Sequence, residues 1–252
     1  MSLQFYFLLN VLLISRLILV FQDNPISRKQ TITMILLQFM GLLVYKMSYM
    51  WAVLVVILIL VDVLFHFLEN KFKRIDQLRL LSLLTCVTVL GIFFSPSMDI
   101  NFNPGLSRFF QSIGYYFLLF ASLKDADWLK INILLLGLLL ATNEANILIR
   151  CFFQLFQLDT KNDVSSNELH IIIPEKREYN AGRVIGILER ALIYFLVLNA
   201  QYAAIGFILA AKSFTRFKEL EKREFAEYVL IGTLLSAFLA MATAGMTKLL
   251  LP

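Results

Sequence analysis

"MWAVLVVILILVDVLFHFL", Met50–Leu68, is an apolar run broken only by Asp62 and His66. At about 1.5 Å per residue it covers nearly all of the ~30 Å hydrocarbon core of a bilayer. In hydrocarbon the backbone N–H and C=O groups must be paired within the segment, so the run reads as a membrane-spanning α-helix. A barrel strand would alternate polar and apolar residues over a shorter length, which this run does not do.

The rest of the chain agrees. It is 59% hydrophobic and 16% charged, with a mean hydropathy of +0.75, whereas soluble domains sit near half apolar and a quarter charged. There is too little polar surface for water, and the apolar runs recur from end to end. The expected fold is all-α: a polytopic transmembrane helix bundle forming a single integral membrane domain over residues 1–252. Eight spans are predicted, at Leu3–Phe21, Thr31–Tyr45, Met50–Leu68, Leu78–Phe94, Phe109–Ser122, Ile131–Phe153, Ala191–Ala211 and Ala226–Leu250. The second and fifth are short, so six or seven spans also fit. The first apolar run lacks a basic leader and a small-residue cleavage site, and is expected to be retained. Asp159–Arg183 is a polar loop between spans, with a short strand or extended segment at "ELHIIIP", and is too small to hold a soluble catalytic domain.

Lys and Arg concentrate in "ENKFKRIDQLRL" (Glu69–Leu80) and "KSFTRFKELEKRE" (Lys212–Glu224), while "SPSMDINFNPGLSR" (Ser95–Arg108) holds one Arg. The positive-inside bias places the first two in the cytoplasm and the third outside, and with eight spans it leaves both termini outside. The net charge of +5 is dispersed over short loops, so it reads as a topology signal, with the bilayer as partner and no nucleic acid. Cys86 and Cys151 lie among apolar neighbours without metal spacing and read as buried thiols. No cofactor or metal is expected.

Ionisable groups at membrane depth cost roughly 2.5–3.5 kcal/mol on insertion scales, so each is a site candidate. In "LERALIYFLVLNAQYAAIGFILAAKS" (Leu188–Ser213), Ala191–Ala211 would cover about 31 Å as one helix. Glu189 and Arg190 then sit at one boundary and Lys212 and Arg216 at the other. Either these are interfacial anchors, or they belong to a buried polar seam. Arg183, Gly186 and Arg190 share a helical face, and Asn199 and Gln201 fall near mid-membrane. In "ATNEANILIRCFF" (Ala141–Phe153), Asn143, Asn146 and Arg150 share a face, with Glu144 about 100° round from Asn143. These groups could bind a headgroup or simply neutralise the seam. Asp62 and His66 are spaced by four and read either as an interfacial pair hydrogen-bonded near the cytoplasmic loop or as a proton-handling or polar bundle pair, because a metal needs at least three protein ligands. Gly232, Ser236, Ala240 and Ala244 form a small-residue stripe for close packing, against a neighbouring helix or another subunit.

The series "NAGRVIGILERALIYFLVLNAQYAAIGFILAAKSFTRFKELEKREFAEYVLIGTLLS" (Asn180–Ser236) resembles the C-terminal half of a family of bacterial polytopic inner-membrane proteins of unknown function. The resemblance rests on "GRVIGILER", "GFILAAKS" and "EYVLIGTLLS" and covers about a quarter of the chain. It implies a multi-pass protein of a prokaryotic inner membrane. It also implies one structural unit containing Gly182, Arg183, Gly186, Glu189, Arg190, Lys212, Ser213, Glu227, Tyr228, Gly232, Thr233 and Ser236. The family carries a His-x-x-x-Asp pair in its first helix. Here the matching positions are Ile14 and Ile18, which cannot ligate anything.

No P-loop, dinucleotide fingerprint, G-x-S-x-G or H-E-x-x-H is present, so no catalytic set is assigned and an enzyme is the less favoured class. Three readings remain. In the first, Arg183, Arg190, Lys212 and Arg216, balanced by Glu144, Glu189 and Glu227, bind or transport a small anionic solute or anionic lipid headgroup. In the second, the chain is an interaction or effector protein with a structural seam, oligomeric through the stripe. In the third, it is a membrane enzyme on a lipid-linked substrate, with Glu189 or Glu227 as acid/base.

Overall fold

The computed structural model describes residues 2–72, 74–95, 98, 100–105, 125–156, 176–215 and 223–252. In chain order the elements are α1 (Leu3–Ser15), a 3-10 turn (Arg16–Phe21), α2 (Arg28–Leu42), α3 (Tyr49–Lys71), α4 (Ile75–Phe93) and α5 (Asp125–Leu139). A π turn (Leu140–Glu144), α6 (Ala145–Leu155), α7 (Lys176–Leu198), α8 (Tyr202–Thr215) and α9 (Arg223–Leu250) follow. Among the described residues five helical stretches are long and apolar enough to cross a membrane: Leu3–Phe21, Tyr49–Lys71, Ile75–Phe93, Asp127–Leu155 and Ala226–Leu250. The chain is a helical membrane protein. Of the other expected spans, Thr31–Tyr45 is represented by the 15-residue α2, and Phe109–Ser122 lies outside the described residues. So do residues 157–175 of the polar stretch, including "ELHIIIP", whereas its end, from Lys176, is already α7.

The chain divides into two compact units, Met1–Leu139 with Leu250–Pro252, and Leu140–Leu249. In the first, α1 packs against α2, α4 and α5, and α3 against α2 and α4. Local chemistry sets the helix starts. Ser27 and Gln30 form a reciprocal capping box at the head of α2, and the Ser48 hydroxyl accepts from the Trp51 N–H at the head of α3. Gly41 of α2 lies against Val11 of α1, and a Cβ there would overlap both Val11 methyl carbons. That close crossing needs glycine. Asn10, buried in α1, donates to the Asn132 carbonyl (2.9 Å) and its side-chain oxygen (3.1 Å) on α5. This clasp occupies the Asn10 amide nitrogen, while Asn10 Oδ1 meets no donor among the described residues.

An aromatic cap closes the end of this unit where α3 begins. Tyr45 and Phe102 form an antiparallel bridge, and their rings gather with Phe5, Phe7 and Phe94. The Tyr45 hydroxyl donates to the Gln4 carbonyl at 2.6 Å. Trp51 Nε1 donates to Leu42 O at 2.8 Å, satisfying a carbonyl at the end of α2.

In the second unit the expected span Ala191–Ala211 is corrected, because the stretch is a helical hairpin. α7 ends at Leu198. Ala200 adopts a left-handed backbone (φ 58°), its N–H bonds to Val197 O at 3.1 Å, and the Gln201 N–H bonds to Leu196 O at 2.8 Å. This is a Schellman ending with alanine where glycine is usual. The Asn199 side chain takes up the Phe195 carbonyl. α8 then runs back along α7, and Lys212 Nζ meets Glu189 Oε2. The charges bracketing this apolar run are therefore partners at the base of one hairpin, not anchors at opposite membrane faces. With Glu189→Cys and Lys212→Cys in an otherwise cysteine-free chain, a short bis-maleimide is expected to link the two arms. A continuous helix would hold these positions roughly 35 Å apart and give no link.

Candidate functional site

Helix α7 exposes an apolar face and buries two arginines among apolar residues. Val184, Ile185, Leu188, Leu192 and Phe195 are exposed along one face, while Arg183, Arg190, Ile193, Tyr194 and Val197 are buried on the other. Helix α9 repeats the arrangement, exposing Leu230, Leu234, Phe238 and Met241 and burying Ser236, Ala240, Ala244 and Thr247. Water would select the reverse, so hydrocarbon is the solvent these faces fit.

Arg190, 3% exposed, is the centre of the seam. Its Nε donates to Ala141 O at 2.8 Å, Nη2 to Thr142 O at 3.2 Å and Nη1 to Ser236 Oγ at 3.3 Å. Both carbonyls belong to the π turn, whose wider winding breaks the regular helical ladder. A carbonyl released in hydrocarbon needs another donor, and the forked guanidinium supplies several from one side chain. The same winding explains a departure from straight-helix geometry. Asn143 and Glu144, expected about 100° apart, are both buried, and the Asn143 amide donates to Glu144 Oε1 at 3.1 Å.

The remaining predicted residues are placed as follows. Glu189 and Lys212 pair with each other at partly covered positions, 15% and 20% exposed, where an ion pair contributes ~1 kcal/mol or less after solvent screening. Arg183 is buried on α7, Arg150 is partly buried on α6, and Glu227 is exposed on α9. Arg216 lies outside the described residues. The small-residue stripe faces its own unit: a Cβ on Gly232 would lie 3.2 Å from the Phe153 ring, Ser236 receives Arg190, and Ala240 and Ala244 are fully buried. Of its two expected partners, the structure supplies a neighbouring helix. The residues that carry the family resemblance all fall within Leu140–Leu249.

The first unit holds a second polar cluster, and sequence reasoning found only Asp62 and His66 of it. Arg79, 1% exposed, bonds through Nε to Glu69 Oε1 (3.3 Å) and through Nη2 to Glu69 Oε2 (3.4 Å) and Asn24 O (3.0 Å), and Nη1 donates to Gln22 O. Glu69 also accepts from the Ile26 N–H at 3.2 Å. Arg16 donates to Ser82 Oγ at 2.7 Å and to Arg79 O at 2.8 Å. Beside these, His66 Nδ1 sits 3.0 Å from Thr31 Oγ1, and Asp62 faces Arg16 and the Gln38 amide. Arg16, Thr31, Asp62, His66, Glu69 and Ser82 line a cavity of about 20 Å³. Arg16 carried a usable signal in sequence, being an isolated arginine within an apolar run. Glu69 and Arg79 did not, because at the ends of their spans they resemble topology charges.

Among the described residues no group of three or more His, Cys, Asp or Glu is placed to hold a metal ion. Comparison with protein families, curated proteins and solved structures finds no match. The class defined by fold and site is thus a helical membrane protein with charged side chains turned into its interior.

Proposed function

We propose that this protein is a multi-pass membrane protein that binds, and in that way carries, a small anionic solute or lipid headgroup at the interior face of α7. The observation supporting this reading is the inverted polarity of α7, with guanidinium groups inside and aliphatic groups towards lipid. Arg183 and Arg190 are both buried on this helix, and inward guanidinium suits phosphate or carboxylate. The resemblance of Asn180–Ser236 adds a prokaryotic inner membrane as its proposed location.

One observation favours a second reading. Arg190 is occupied by two π-turn carbonyls and Ser236, which suits a structural seam in an interaction protein. Native mass spectrometry of protein released from its own membrane separates the two, comparing wild type with Arg183→Gln and Arg150→Gln. A bound anion or anionic lipid present in the wild type and lost from either variant, with thermal midpoint retained, supports the binding reading. The same occupant in all three, or none, supports the structural one.

A further inference from the structure

The small cavity in the first unit has features that ion pairing does not explain. Of the two carboxylates lining it, Glu69 is held by Arg79 and the Ile26 N–H. Asp62 is different. Its Oδ2 is buried and meets no hydrogen-bond donor among the described residues. The cavity, at about 20 Å³, has room for one water, which takes at least about 10–15 Å³.

His66 stands between this space and the outside. Its Nδ1 edge faces Thr31, a lining residue, and its Nε2 edge lies 3.5 Å from the amide of the exposed Asn70. With the Thr31 hydroxyl given to Ser27 O, the Nδ1–H tautomer donates to Thr31 Oγ1, and Nε2 is then the position that takes a proton. Asp62 sits four residues, or about 6 Å, deeper along the same helix.

We infer that this cavity is a proton-exchange site in which the Thr31 hydroxyl and one water join the His66 imidazole to Asp62 Oδ2. A proton arriving at the Asn70 edge adds to Nε2. The imidazolium gives its Nδ1 proton to Thr31 Oγ1, the Thr31 hydroxyl proton passes to the water, and the water passes one of its own to Asp62. The ring is left neutral with its hydrogen on Nε2, and one proton has moved inward. The charged and titratable groups around Asp62 are Arg16 from the 3-10 turn, His66 and Glu69 on α3, and Asp76 and Arg79 on α4, while α2 presents the uncharged Thr31 and Gln38. Arg16 in the wall disfavours a metal cation, and a proton needs no ligand cage. This site goes beyond the anion site proposed for the second unit and shares no residue with it.

Infrared difference spectra of the full chain in lipid nanodiscs, taken between acid and alkaline buffer, test the inference. A protonated-carboxyl C=O band is expected to disappear on alkalisation of the wild type and to be absent from Asp62→Asn. In His66→Gln, which can still hydrogen-bond Thr31, the band is expected to respond more slowly to a pH jump, because the relay from the Asn70 edge is lost. The inference is overturned if wild type and Asp62→Asn give the same spectra, or if His66→Gln responds as fast as wild type.

Discussion

Arg79→Ala is expected to destabilise the first unit by roughly 3–5 kcal/mol, the cost of stranding one member of a buried ion pair. Arg79 and Glu69 are 1% and 3% exposed, so solvent screening offers little relief. Removing the guanidinium takes away both bonds to Glu69 and the donors to Gln22 O and Asn24 O. Among the described residues, the Ile26 N–H then remains as a donor to Glu69. The two cysteines provide separate readouts, because Cys86 is buried in the first unit and Cys151 in the second. Thiol labelling of Cys86 should accelerate by about a hundredfold or more if the loss reaches about 3 kcal/mol, with Cys151 much less affected. Pairing Arg79→Met with Glu69→Leu should restore most of the stability, since an apolar pair of similar volume has no charge to strand. A labelling rate for Arg79→Ala equal to wild type would show that the pair is dispensable.

Arg190→Ala should have the next largest effect, about 2–4 kcal/mol, and should act on the other cysteine. The substitution removes three hydrogen bonds and leaves Ala141 O and Thr142 O facing an apolar interior, where an unsatisfied acceptor costs about 1–3 kcal/mol. Cys151 labelling should therefore rise and Cys86 labelling stay near its wild-type rate. Arg190→Lys should recover only part, because a single ammonium cannot reproduce a fork that reaches two successive carbonyls and a hydroxyl. Full recovery by lysine would mean that charge, not geometry, secures the π turn.

What could be read from sequence follows the physics of each signal. α3 and α9 are legible because long apolar runs have few alternatives in a bilayer. The break at Asn199–Gln201 is not, since it carries neither glycine nor proline, and Ala200 takes the left-handed position that glycine usually marks. The π turn is equally silent. Its sequence, "LATNE", continues an apolar helix, and only the carbonyls gripped by Arg190 reveal it. Asp62 and His66 were visible by their spacing of four, but a one-sequence reading cannot place Arg16, Glu69 and Arg79 around them. Those residues come together from a 3-10 turn and two different helices.

The α7–α8 hairpin also bears on how the protein is made. Its arms from Arg190 to the turn and back to Lys212 are each about half the length that an insertion channel recognises as a span. Either arm alone is too short to cross, so the two would enter lipid together as one hairpin, and Arg190 lacks its Ser236 acceptor until α9 has been synthesised. A chain stopped before residue 223 would then hold this hairpin undocked, a ready substrate for membrane quality-control proteases.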